Sequence, residues 1–389
     1  MLAYSNSQLD ILDIDNEAEK ALRRKLITKE EYNLINEKYR VKVYNPNLFI
    51  RIGLFIASFI VVSMGFGLFS LFQFGYSDKG YAVMCLFFAC LLYVALEFSI
   101  RKLNHYKSGV DDALLWMSAG YLFGSIMLFF NIDSPIALSV IIFILALAAT
   151  ARFADAGAAI IMFVAFFSVI FNGLLLTGSI GRALLPFVAA AFAFIIYLGV
   201  KKFKGRHALR HYHVCLVVLE VLSLVTTYIA LNYFVVRELS VVLLDMQLAP
   251  GASLTGGWFF WAATLMLPLI YIGYSLYRKD YVMLRVGILL VVAAAFTIRA
   301  YYAITPIEVV LVGSGAFVVV ISYMISVFLK KPRYGITSNE TAEAEMPEFL
   351  QIESLVVAET FKQVPGAQQP QGFQFGGGSS GGAGATGEY

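Results

Sequence analysis

The chain has 389 residues, 59% of them hydrophobic and only 14% charged, with a net charge of +3. Soluble globular chains are about 45–50% apolar and about 25% charged, so a single core folded in water is excluded, as is a polar disordered chain. Glycine shows no three-residue period and there are only three cysteines. Collagen-like and disulfide-scaffold classes therefore fail too, and a membrane protein remains.

Residues 1–47 read as a short helical segment on the cytoplasmic side. The stretch EAEKALRRKLITKEEYNLINEKY has helical composition with a break at Ile27-Thr28. Thr28 followed by Glu31 predicts a capping box, in which hydroxyl and carboxylate each take the other residue's amide. Leu22, Leu26, Tyr32 and Ile35 would then form the apolar stripe of a helical hairpin. No cleavable signal peptide is expected, because the first apolar run starts near residue 48 behind a charged segment.

Ten runs are long and apolar enough to span a bilayer, which takes about 20 residues. They are 48–72, 80–100, 113–131, 135–151, 157–176, 184–200, 214–234, 257–277, 286–304 and 306–329. Each is apolar on all faces, and none alternates as a barrel strand does. The fourth and fifth form one tight hairpin around Arg152 to Asp155. Cys85 and Cys90 lie inside a run and Cys215 at the start of another, where cysteine acts as a small hydrophobe. The predicted fold is an all-α polytopic bundle of about ten transmembrane helices.

Beyond the last run, residues 330–363 form a cytoplasmic segment in which 348–362 can make an amphipathic helix. Residues 364–389 are Pro, Gln, Gly and Ser, and are expected to be a disordered Gly-rich tail.

Ten spans put both termini on one side. The loops 101–112, 152–156, 201–213 and 278–285 on that side carry twelve Lys or Arg residues. The opposite loops carry three, Lys79, Arg182 and Arg237. Basic loops are retained in the cytoplasm, so both termini are expected there, in a bacterial-type inner membrane.

Motifs of soluble enzymes are missing, with no GxxxxGK[ST], HExxH or GxSxG and no paired CxxC. Ionisable residues within spans become the candidates, because each is costly in lipid. Arg299 and Glu308 flank the Thr305-Pro306 turn, at depths that differ by roughly 5 Å, and are expected to pair. Glu220 is the deepest carboxylate, about 9 Å inside its span. It needs a cation, a proton or water. Arg51 and Glu97 lie at the same end of the first two spans, where they either join Glu220 in a network or reach separately for the headgroups. All four histidines fall in loops on the cytoplasmic side. His207 and His211 share a helical face at i, i+4, but no acidic or Cys ligand is near them in sequence, so they are expected to be solvated rather than metal-bound. Gly120 and Gly124 are expected to let helices approach closely. Asp111 and Asp112 should favour the dipole at the start of the third span. Pro186 and Pro268 are the candidates for mid-depth helix breaks.

LRRKLITKEEYNLI, NPNLFIRIGLFIASFIVVSMGFGLFSLF and the loop HYKSGVDDALLW together resemble uncharacterised bacterial multi-pass membrane-protein families. That resemblance implies a short cytoplasmic prelude and eight to ten or so spans, and no catalytic or ligand residues. The tail GGGSSGGAGATGEY is similar to the Gly-rich tails of membrane-anchored TPM-domain proteins, with Tyr389 where Trp is usual. It implies at most a shared tail-binding partner.

A non-enzymatic accessory or scaffold protein with cytoplasmic termini is the reading these features favour. A cytoplasmic protein partner would bind at the N-terminal segment or the tail. The alternative is a proton- or ion-coupled small-solute transporter using Glu220 or the Arg299/Glu308 pair. No cofactor, metal or nucleic acid is expected, and the lipid bilayer is the expected surroundings.

Overall fold

Nine helices among the described residues are long and apolar enough to cross a bilayer. In this computed structural model the described residues are 2–71, 77–244, 254 and 256–302. Beyond them only 312, 313, 315, 316, 319, 320 and 323 are described, all helical. The bulk of the tenth expected span, the 330–363 segment and the 364–389 tail lie outside the described residues. No strand is found among those described, only an isolated bridge between Tyr44 and His105.

Two helices precede the bundle, α1 (Asn6–Arg23) and α2 (Lys29–Lys38). Helix α1 starts well before the helical composition suggests, because the LDILDI pattern gives it an apolar face that buries Leu9 and Leu12. The capping box forms as expected. Thr28 Oγ1 accepts from the Glu31 amide at 3.2 Å, and the Glu31 carboxylate accepts from the Thr28 amide at 2.8 Å. The expected stripe is only partly correct. Leu22, Tyr32 and Ile35 are half-buried, but Leu26 is 72% exposed and α2 buries no residue.

The spans follow as α3 (Leu48–Ser70), α4 (Asp78–Arg101), α5 (Val110–Phe130), α6 (Pro135–Phe153), α7 (Ala156–Leu176) and α8 (Gly178–Lys204). After them come α9 (His213–Leu231), α11 (Gly257–Arg278) and α12 (Tyr281–Tyr302), with α10 (Tyr233–Leu244) between α9 and α11. The starts are set by polar residues at the sequence breaks. Asn47, Ser77 and Asp155 accept from amides three residues on, at 3.0, 3.2 and 2.7 Å, which satisfies orphan donors of each first turn. The α6–α7 hairpin turns on Ala154, at φ +50°, and on Asp155. Helices α8 and α11 run continuously through Pro186 and Pro268; the two prolines do not break them.

Two large apolar cores hold the bundle, with a smaller one of Tyr233, Val236 and Phe260 joining α10 to α11. One joins Leu92, Leu96 and Ile100 of α4 to Leu114, Leu115 and Met117 of α5 and Phe153 of α6. The other joins Tyr197 of α8, Leu224 and Tyr228 of α9, Tyr271 of α11 and Met283, Val286 and Leu290 of α12. Helix α3 buries none of its residues and leans on the bundle through Phe66, edge-on to Phe88 and tilted against Tyr121. Its start is fixed by Gly109, at φ +92°, where a Cβ would lie 2.1 Å from the Arg51 carbonyl oxygen. Gly120 and Gly124 do not serve close packing. A Cβ at either would meet nothing within 4 Å, and Gly120 lines an apolar crevice of about 230 Å³ between α5, α6 and α7.

All four Lys/Arg-rich loops gather at one end of the bundle, together with α1. The Ala3 amide donates to the Arg152 carbonyl at 2.8 Å and the Tyr44 amide to the Asn104 carbonyl at 2.9 Å. Asp10 of α1 pairs with Arg210 at 2.6 Å, and Lys201 pairs with Asp280. This is called the basic end below.

Candidate charged site at the basic end

Glu220 sits two turns into α9 and is fully enclosed, with no exposed surface. Its partners come from the last turns of α8. Lys201 Nζ lies 2.6 Å from Oε1 and Lys204 Nζ 3.2 Å from Oε2. Lysines 201 and 204 are one turn apart in sequence, so both ammonium groups fall on one face of α8 and reach the same carboxylate. Lys201 also contacts the Asp280 carboxylate, from the turn between α11 and α12. Asp280 in turn caps α12, accepting from the Met283 amide at 3.3 Å. The sequence demanded a partner for Glu220; it gave no sign that the partners would be Lys201 and Lys204, which read only as orientation charges.

Beside this cluster lies a cavity of about 650 Å³ between the ends of α8, α11 and α12. Lys201, Lys204, Arg278, Lys279, Asp280 and Arg285 line it, with Tyr197, Tyr274 and Tyr281 at its walls. Glu220 does not line it. The lysines separate the carboxylate from the open space.

Arg51 and Glu97 do not join Glu220, which corrects the shared network. Arg51 donates from Nε to Asp112 at 2.8 Å, with a second contact at 2.7 Å. Glu97 is held by Arg101 at 2.7 Å, by Arg152 Nε at 3.0 Å and by the Tyr93 hydroxyl at 3.1 Å. Neither side chain simply reaches for headgroups, because Asp112 at the start of α5 and Arg152 at the end of α6 meet them first. Asp112 is thus an ion-pair partner as well as a first-turn acid. Asp111, only 2% exposed, accepts from the amides of Lys107 and Ser108 at 2.8 Å each and from the Tyr4 hydroxyl at 3.3 Å. It ties the α4–α5 loop to the N-terminal segment, and burial beside Asp111 and Asp112 pushes the Tyr4 phenol far above its ordinary range.

His211 departs from the solvated picture. His211 has a side chain only 8% exposed, and Asp10 and Asp13 of α1 approach it at 3.5 and 3.9 Å. His207 and His211 lie in a 3-10 turn, His207–Tyr212, whose three-residue period does not put i and i+4 on one face. Asp10, Asp13 and His211 are close enough together to hold a cation, but Arg210 already occupies Asp10. Burial raises the Asp13 carboxyl above its usual range.

Arg299 is half-buried near the end of α12 opposite the basic end. It lines a cavity of about 750 Å³ with Asn232 and Thr297. Among the described residues nothing accepts from its buried Nε. Glu308 lies outside the described residues. Nearby, Asn232 donates to Tyr228 Oη at 3.1 Å and Thr297 Oγ1 at 3.0 Å, and its own oxygen accepts from the Phe234 amide at 3.0 Å to start α10. The sequence reading missed α10, since its 12 residues resemble the end of a span.

Comparison of the chain with family models, with curated proteins and with solved structures returns no match.

Proposed function

We propose that the chain is a non-enzymatic accessory or scaffold protein of a bacterial-type inner membrane, with both termini cytoplasmic and the basic end as its working face. The observation that carries this reading is the state of Glu220, which is enclosed and neutralised by two lysines instead of facing an open path. A carboxylate that relays protons has to meet water or substrate. The N-terminal hairpin supports the same reading, because Leu26 in the turn before α2 and Leu34 in α2 stand exposed at 72% and 65% on a segment tied to the basic end, where a cytoplasmic protein partner can reach it.

Transport is the second reading. It is favoured by Lys201, which bridges Glu220 and Asp280 at the wall of a cavity. A cation shared by two carboxylates can release one of them when a solute or proton arrives.

Solute uptake and thermal stability of Glu220→Gln and Glu220→Leu separate the two. The scaffold reading predicts that Gln is tolerated, that Leu lowers stability, and that neither changes any pH-dependent uptake. Loss of pH-dependent uptake in a stable Glu220→Gln protein would overturn it in favour of transport.

A further inference from the structure

The cavity of about 750 Å³ near the end of α12 holds a buried charged donor that nothing around it satisfies among the described residues. It lies where the end of α9 and the first turn of α10 meet α12. Its neutral polar groups are occupied. Asn232 donates to Thr297 Oγ1 at 3.0 Å and to Tyr228 Oη at 3.1 Å, and Thr297 donates to the Ala293 carbonyl at 3.1 Å. Arg299 differs from them. Its Nε is buried with no acceptor among the described residues, and no carboxylate among them lines the cavity. An unpaired buried donor is costly, and more so when it is charged. An acceptor with negative charge is therefore the complementary occupant.

The rest of the lining says what carries that charge. From Arg299 toward the basic end the cavity is apolar along α12, through Phe296, Val292, Leu289 and Ile288. The helix rises about 16 Å between residues 299 and 288, which makes a slot that takes much of an acyl chain. Leu289 and Phe296 are 63% and 51% exposed, so the slot opens sideways, where lipid tails surround a spanning helix. Arg299 lies in the last turn of α12, which ends at Tyr302, within reach of the headgroups. A small soluble anion would satisfy the guanidinium and leave the slot unfilled. A neutral chain would fill the slot and leave Nε unpaired. A phospholipid does both. Its phosphate stands at that level of the bilayer, and a guanidinium makes paired hydrogen bonds to phosphate oxygens.

We propose that this cavity binds a phospholipid of the leaflet opposite the basic end, with its phosphate on Arg299 and one acyl chain along residues 288–296. The proposal is independent of whether the bundle anchors a partner or moves a solute. Glu308, the partner expected for Arg299 from the sequence, lies outside the described residues and is the competing occupant.

The full chain, purified in a neutral detergent, would be titrated with phosphatidylglycerol, with diacylglycerol of the same chains and with glycerol phosphate at matched ionic strength, reading thermal unfolding. Phosphatidylglycerol should raise the unfolding temperature in a saturable way, since a ligand that binds only the folded state stabilises it. Diacylglycerol lacks the phosphate and glycerol phosphate lacks the chains, so neither should do so. Arg299→Gln should bind phosphatidylglycerol at least about tenfold more weakly, the scale of one lost charge-assisted hydrogen bond. Val292→Trp fills the slot and keeps the charge. It should weaken binding too, and it carries the comparison if Arg299→Gln does not fold. Glu308→Gln should respond as the wild type does. Equal stabilisation by phosphatidylglycerol and diacylglycerol, stabilisation by glycerol phosphate alone, or a wild-type response in either Arg299→Gln or Val292→Trp would overturn the proposal. So would tighter lipid binding by Glu308→Gln, which would make Glu308 the occupant.

Discussion

Glu220 illustrates how burial turns one residue into a set of obligations. Enclosing a carboxylate costs several kcal/mol unless partners replace its water, and here two lysines from the neighbouring helix do so. The lysines are 32% and 18% exposed in their side chains, whereas Glu220 has no exposure at all. The costs of breaking the cluster are therefore unequal. Lys201→Leu with Lys204→Leu should strand the carboxylate and lower stability by about 3–5 kcal/mol. Glu220→Leu should cost less, because Lys201 keeps Asp280 and both lysines can turn to water. Chemical unfolding in detergent checks the order, and a larger loss for Glu220→Leu would contradict it. Gly109 is constrained by geometry instead of charge. Its φ of +92° and the Arg51 carbonyl 2.1 Å from a built Cβ predict that Gly109→Ala lowers stability by about 2–4 kcal/mol, with α3 the element that shifts.

Helices carry the next level of the argument. The spans were legible because twenty-residue apolar runs have one structural solution in lipid, and Asn47, Ser77 and Asp155 mark their starts in the sequence. The Thr28 capping box was legible for the same local reason. The partners of charges were not. Arg51 meets Asp112 and Arg152 meets Glu97 across separations that no periodicity encodes. Helix α10 was missed because it continues a span, and the first turns of α1, ahead of Glu17, were missed because their apolar face is hidden among acids. Within α2, the Thr28 amide bond holds the Glu31 carboxyl below its usual range. A lowered folded pKa means that the helix gains stability above the ordinary carboxylate range and loses it as pH falls through the lowered value. The protection of α2 amides, relative to their intrinsic exchange rates at each pH, should fall on acidification, and Glu31→Gln should remove that pH dependence. Protection that stays flat with pH in the wild type would count against the box as a charged cap. At the far end of α12, the unsatisfied Arg299 Nε keeps the expectation of a Glu308 partner. If they pair, Arg299→Leu and Glu308→Leu should each lower stability more than the double change does, because one change strands a charge. Additive losses would rule the pair out.

On the scale of the molecule, the central claim is an alternating bundle whose basic loops share one side of the membrane. The sequence carried this in the twelve-to-three division of Lys and Arg between loop sets. The structure adds that the four loops touch through α1, the Tyr44–His105 bridge and Lys201–Asp280. Chain order alone could not supply those contacts, since they close distances of tens to hundreds of residues. Topology in cells tests the claim most directly, with paired cytoplasmic and periplasmic reporters fused at Asn6, at Asp133 between α5 and α6, and after Arg333. The account predicts cytoplasmic signal at Asn6 and Arg333 and periplasmic signal at Asp133. A periplasmic signal at either terminal fusion, or a cytoplasmic one at Asp133, would contradict it.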